Sequence, residues 1–306
     1  MTPLRWLQGR RLAMIRILLV MLGLLSAWNT VTAAPWILPA GVKTLEVNGY
    51  PMAFLESGTG ESVVLVHGGG TDYRTWRRQV ESPPRGFRLI GVSLRHYYPE
   101  RWDGKGGTFS IRQHAEDVAA FIEALKVGPV YLVGHSRGGS VVVRTAQARP
   151  ALVKKLVLME GAFGPLLQKP ESGDDGPGLS PIAKAVKARF DQGDIDGGLE
   201  VFIDRDTPGT WARRSEENRQ RTRDNAWTLI AGGSDYPVTC ADLAGLRMPV
   251  LLIQGEKTSR RLASIVDATH KCLPSAERAT VPNAGHGMHL MNPAGFEKIL
   301  VQFLSR

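Results

Sequence analysis

The stretch Val130–Gly139, reading Val-Tyr-Leu-Val-Gly-His-Ser-Arg-Gly-Gly, constrains the fold more than any other part of the chain. Four β-prone apolar residues run into Gly134-His135-Ser136-Arg137-Gly138, and Ser140–Ala148 reads as a helix that must end by Pro150. Ser136 is therefore expected on a sharp strand-to-helix turn, its hydroxyl exposed above a helix N-terminus. The glycines have a steric role: the turn forces the serine into a strained backbone conformation, and only hydrogen-sized neighbours let strand and helix close up. A glycine-flanked serine alone is common in loops; the flanking strand and helix make this match specific.

Around this turn the chain alternates strands and helices. Lys43–Val47 and Met52–Glu56 form a predicted hairpin about Asn48-Gly49, a favoured turn dipeptide. Ser62–Val66 reads as a buried strand ending in His67-Gly68-Gly69-Gly70, Phe87–Ser93 as the next strand, and Ile111–Leu125 as an amphipathic helix. Further on come Lys155–Met159, Val250–Gln254, a helix over Ala263–Cys272, Ala279–Pro282 and a closing helix from Pro293. Such alternation predicts an α/β fold, a mostly parallel sheet with helices on both faces. Residues 161–246 interrupt the pattern. A Pro/Gly cluster over 173–178 precedes helical stretches at Ile182–Asp191, Gly197–Arg205 and Ser215–Ile230 without a strand, which predicts a helical cap between core segments 34–160 and 247–306.

Met1–Arg16 is basic and Ile17–Trp28 apolar, with Val31-Thr32-Ala33 supplying small residues for cleavage before Ala34. The apolar run is shorter than the roughly 20 residues a spanning helix needs, so residues 1–33 read as a cleavable signal peptide, touching the membrane only if retained. The expected location is the periplasm or beyond. Removing Arg5, Arg10, Arg11 and Arg16 lowers the net charge from +9 to +5, and the remaining basic residues are interspersed with acids, which argues against a nucleic-acid surface. Cys240 and Cys272 flank the strand Val250–Gln254, so two readings stand: a disulfide, or two small buried apolar side chains. Oligomeric state leaves no trace in the sequence.

Several pieces together resemble the α/β-hydrolase fold superfamily across almost all of the mature chain. They are His67-Gly68-Gly69-Gly70 with Asp72 and Trp76 beyond, Ser93-Leu94-Arg95-His96, Gly134–Gly139, Pro249–Gly255, and Gly285-His286 followed by Asn292-Pro293. The resemblance implies that Ser136 is a nucleophile and His286, after the last predicted strand, its base, with His289 as fallback. His67 and His135 flank the site in turn motifs, and His96, His114 and His270 read as surface or packing residues. Many relatives carry Asp where this chain has Thr258, and threonine cannot stabilise an imidazolium by charge. Glu160, ending the strand after the Ser136 helix, is the preferred acid, with Glu256 the alternative. An isolated carboxylate after four apolar residues would be costly without a partner.

The resemblance also implies an oxyanion hole from the backbone amides of Gly69 and Arg137, Gly70 contributing as a further candidate, while the Arg137 side chain reads as structural. It implies ester hydrolysis through an acyl-enzyme, with no metal and no organic cofactor, on a small apolar ester-like substrate. Phe163, Phe190, Phe202, Trp211 and Trp227 are candidate pocket-lining residues, though each taken singly reads more readily as cap core. Two alternatives keep the fold: cofactor-free perhydrolase, lyase or carbon–carbon hydrolase chemistry at the same site, or a catalytically silent binding protein.

Overall fold

The computed structural model describes residues 37–167, 180–231 and 236–306. The expected signal peptide, residues 1–33, and the Pro/Gly cluster over 173–178 lie outside the described residues. Eight strands form one sheet in the order β1-β2-β4-β3-β5-β6-β7-β8: β1 Lys43–Val47, β2 Tyr50–Gly58, β3 Glu61–Val66, β4 Phe87–Val92, β5 Val130–His135, β6 Val153–Met159, β7 Val250–Gly255 and β8 Glu277–Val281. β1 and β2 form the predicted hairpin, with Asn48 and Gly49 both at positive φ as a two-residue turn requires. β2 runs antiparallel to β4, and from β4 through β8 every pairing is parallel.

The central strands β3, β5 and β6 are short apolar runs because helices cover both faces of the sheet. One face packs α1 (Arg77–Glu81) and the C-terminal helix Pro293–Leu304, which buries Phe296, Leu300, Phe303 and Leu304 against Val63, Leu65, Tyr131 and Val157. The other face carries α2 (Ile111–Leu125) and α3 (Arg137–Ala148). α2 buries Ile111, Ala115, Val118 and Ile122 at helical spacing; the Ser110 hydroxyl caps its start, and Lys126 ends it in the left-handed region. This is the expected α/β-hydrolase architecture.

Between β6 and β7 lie α4 (Pro181–Asp191), α5 (Ile195–Asp204), α6 (Thr210–Arg213), α7 (Glu216–Asp224), a 3-10 turn over Ala226–Leu229, and α8 (Cys240–Ala244). Side chains of Ser180, Asp194 and Ser215 cap α4, α5 and α7. The helix expected over Ser215–Ile230 is broken at Asn225. Its amide donates to the Arg221 carbonyl at 2.8 Å and to Asp72 at 2.7 Å, which pins the residue outside helical geometry. The aromatics named as candidate pocket-lining residues are packing residues, the reading preferred for each taken singly. Phe190 and Trp211 form a cluster with Val186 and Leu199, with Phe202 and Trp227 packed on it, while Phe163 is buried beside Gly139 and Gly161. The reason is that a cap of short amphipathic helices needs its own apolar centre. Leu38–Arg306, cap helices included, forms one contact unit.

Cys240 and Cys272 are bonded, with Cα atoms 4.9 Å apart, which settles the two readings of the pair. The bond ties α8 to the end of α9 (Arg260–Cys272).

Candidate active site

Ser136 ends β5 with φ 50° and ψ −118°, a strained conformation for a residue with a side chain. A Cβ on Gly134 would lie 2.5 Å from the Gly138 carbonyl oxygen, and one on Gly138 would lie 2.5 Å from that of His67, so the turn closes only with hydrogen at both places. The Ser136 N–H donates to Met159 at 2.9 Å, while its carbonyl accepts from Gly139 and Ala162. The strain is thus held by backbone bonds to the neighbouring strand.

The next strand ends in Glu160, also left-handed (φ 43°) and 1% exposed. Its N–H donates to Ile253, and its Oε1 accepts the Gly255 N–H at 2.8 Å. Oε2 accepts two further bonds, from the Thr258 hydroxyl at 2.9 Å and from His286 Nδ1 at 2.6 Å. Three polar partners account for a buried carboxylate that would otherwise be costly. They also explain Thr258: at the place where an acid was expected, its hydroxyl orients the acid that the previous strand supplies. Glu256 is exposed and accepts the Asn283 N–H at 2.6 Å, bracing the loop that carries His286 rather than meeting its ring.

With Nδ1 donating to Glu160, the acceptor lone pair of His286 is on Nε2, which makes no hydrogen bond among the described residues. The loop beneath it is fixed from two sides. Lys257 N–H donates to the Ala284 carbonyl at 2.8 Å, and His135 Nε2 donates to the His286 carbonyl at 2.9 Å with the two rings 4.6 Å apart. His135, flanking the serine in sequence, therefore braces the base. Burial holds its imidazole well below the usual histidine range, with the His286 charge adding to the effect.

His289, the fallback base, is 1% exposed, stacks on Trp76 at 4.4 Å and bonds Thr75 Oγ1 through Nε2 at 2.8 Å. Burial lowers its pKa to about 3. His67 donates from Nδ1 to the Gly68 carbonyl at 2.7 Å and accepts the Leu94 N–H on Nε2 at 3.1 Å; desolvation lowers its pKa to about 4. His96 and His114 are buried packing residues, His96 beside Glu100 at 3.1 Å and His114 on the Arg95 carbonyl at 3.2 Å.

Gly68 lies against Ser136, since a Cβ on it would fall 3.1 Å from the Ser136 Cβ. Gly69 and Gly70 face the cap: added Cβ atoms would lie 3.5 Å and 2.8 Å from Leu229 Cδ2. Arg137 is the first residue of α3, so its amide has no intrahelical acceptor. Its guanidinium turns aside, over the Phe109 ring at 4.7 Å.

Sequence reasoning missed how the cap meets this loop. Asp72, fully buried, accepts from Arg74 N–H, the Arg74 guanidinium and Asn225 Nδ2; Asn225 Oδ1 in turn accepts the Tyr98 N–H at 2.8 Å. Arg74 also pairs with Asp224 at 2.8 Å. The one available signal was Asp72 itself, two residues after the glycine run, where a turn-capping side chain is the ordinary reading.

Known proteins are similar in both sequence and shape. A Bacillus subtilis protein named "Putative 2-succinyl-6-hydroxy-2,4-cyclohexadiene-1-carboxylate synthase" is 28% identical over 265 residues, 80% of this chain and 90% of that one. An (E)-2-((N-methylformamido)methylene)succinate hydrolase of Acinetobacter baylyi is 28% identical over 126 residues, 40% of this chain and 46% of its own. The crystal structure of carboxylesterase CesB from Bacillus subtilis superposes with a TM-score of 0.67 at 19% identity, covering 88% of this chain and 93% of that one, a likeness of fold. The alpha/beta hydrolase family matches residues 63–299, which span the glycine loop, the Ser136 turn, Glu160 and His286. Sheet order, strained serine turn and family match agree: the chain is an enzyme of the alpha/beta hydrolase family.

Proposed function

We propose that the enzyme is a serine hydrolase acting on carboxylic esters or related acyl substrates through Ser136, His286 and Glu160. The observation that carries this reading is the 2.6 Å bond between His286 Nδ1 and a buried carboxylate one strand beyond the serine turn. That bond leaves Nε2 as the basic nitrogen and stabilises the imidazolium formed when it takes the Ser136 proton. Ser136 Oγ attacks the acyl carbonyl, and the Arg137 and Gly69 amides hold the oxyanion at the start of α3. His286 then protonates the leaving alcohol, and water activated by the same nitrogen clears the acyl-enzyme. Leu229 over Gly69 and Gly70 supports an apolar wall beside the reacting carbonyl.

The test is labelling with a fluorophosphonate, the adduct being mapped by mass spectrometry. Labelling at Ser136 that collapses in Glu160→Gln and persists in Glu256→Gln is the expected result; a folded protein that takes no label overturns the reading. The synthase name of one relative favours a second use of the site, in which His286 and Ser136 abstract a proton and no acyl-enzyme forms. Incorporation of 18O from solvent water into the product acid separates the two.

We further propose that the chain is exported and works as a periplasmic or secreted protein. The basic and apolar residues before Ala34 and the Cys240–Cys272 disulfide both support this. Cell fractionation with N-terminal sequencing of the mature protein tests it; a reduced, uncleaved cytoplasmic chain refutes it.

A further inference from the structure

Arg221 sits on α7 at 7% exposure, yet among the described residues its ion-pair partner is an exposed carboxylate rather than the buried one a buried guanidinium ordinarily has. Its Nε is buried with no hydrogen-bond partner among the described residues, and its Nη2 reaches only Glu217, at 3.4 Å, whose side chain is 82% exposed. Two acids do lie nearby, but both are taken by a single other arginine. Arg74 forks onto both oxygens of Asp72 at 2.9 and 2.7 Å and also pairs with Asp224 at 2.8 Å. Arg214, half-buried, donates to the Thr222 hydroxyl at 3.0 Å; burial and repulsion from Arg221 hold its guanidinium below its ordinary pKa, while burial and repulsion from Arg74 do the same for Arg221. Asp204, the acid whose charge offsets Arg214, already accepts the Gly209 and Trp211 amides.

The place of this poorly paired guanidinium matters. Arg221 stands one helical turn before Asn225, so it shares the face that docks on Asp72 and, beyond it, on the glycine loop. Its charge is felt at His289, three residues from His286, and depresses that imidazole further. We infer that Arg221, with Arg214 beside it, seats a carboxylate of the substrate, which makes the preferred substrates acidic: half-esters of dicarboxylic acids or acyl esters with an acid tail. A guanidinium presents a planar fork that matches a carboxylate, and the pairing satisfies the nitrogen that the protein leaves bare. The apolar wall at Leu229 and the cation at Arg221 would then divide the substrate between its acyl chain and its acid end. The inference rests on the hydrolytic reading for the reacting bond, though not for binding.

The test uses Ser136→Ala protein, in which turnover plays no part, and compares monomethyl with dimethyl esters of succinate, glutarate and adipate by titration calorimetry. At least one monoester is expected to bind about 10- to 100-fold more tightly than its diester. Adding Arg221→Gln should reduce that advantage to about threefold or less, and Arg221→Lys should retain part of it. Equal binding of mono- and diesters by the folded Ser136→Ala protein overturns the inference, whatever the arginine variants do. If the Gln variant fails to fold, that comparison and the Lys variant still decide. Wild-type turnover of nitrophenyl butyrate and nitrophenyl hemiglutarate keeps the two readings apart. Carboxylate-selective binding without turnover of either sinks hydrolysis alone, and turnover of both without selective binding sinks the carboxylate site alone.

Discussion

The strand ends that carry Ser136, Glu160 and His286 and the cap that covers them are held by different kinds of bond. The strand ends are tied backbone to backbone: Ser136 to Met159, Glu160 to Ile253, Lys257 to Ala284. The cap meets the same loops through side chains, Asn225 on Asp72, Arg74 on Asp224 and Leu229 on the glycines. Backbone bonds do not depend on residue identity, so these strand ends can keep their places while cap side chains vary. On the proposed reading, the helices between β6 and β7 are the place where substrate choice can change without disturbing the chemistry.

The largest effect should come from the strand ends. Ser136→Ala is expected to lower turnover of a chromogenic ester by about 10^4-fold or more while leaving the melting temperature nearly unchanged, since alanine keeps the Cβ and its backbone strain and only the hydroxyl is lost. Next, Glu160→Gln should cost about 10^3- to 10^4-fold in kcat, and Glu256→Gln less than about threefold. If the two carboxylates behave alike, the contrast between buried acid and loop brace is wrong.

The border between cap and core is sharpened by the disulfide. Cys240→Ser with Cys272→Ser opens a link across 32 residues and should lower unfolding free energy by roughly 3–4 kcal/mol, read as a shift in urea midpoint. Its effect on kcat should be small, because neither cysteine touches the strand ends.

His67 tests the loop under the cap through pH. Its pKa is about 4 folded against about 6.5 unfolded, so between those values the unfolded chain binds the extra proton. Its stabilising contribution is complete above about pH 6.5 and declines as pH falls toward 4, by at most about 1.4 kcal/mol per pH unit. Urea melts at pH 7 and 5 should show a shallower pH dependence in His67→Gln; an unchanged slope would mean that folding does not shift the titration of this imidazole.

The smallest effect belongs to the cap latch. Asn225→Ala removes the bond to Asp72 and should cost about 1–2 kcal/mol, appearing mainly in KM as the Leu229 wall loosens. A loss confined to kcat would place Asn225 with the strand ends instead.

The sequence by itself determined the fold class, the Ser136 turn and the candidates His286 and Glu160, because each lies in a local pattern: a strand running into glycines, or an acid immediately after an apolar run. Hairpin and α2 boundaries were legible for the same reason, since periodicity and turn chemistry act over a few residues. Tertiary structure alone decided what spans many residues. It paired Cys240 with Cys272, gave Thr258 its place as donor to Glu160, set His135 under His286, and broke a helix at Asn225 for the sake of Asp72, 153 residues away. Each of these is a contact between side chains whose partners no local pattern specifies. Their geometry exists only once the sheet has brought the strand ends together.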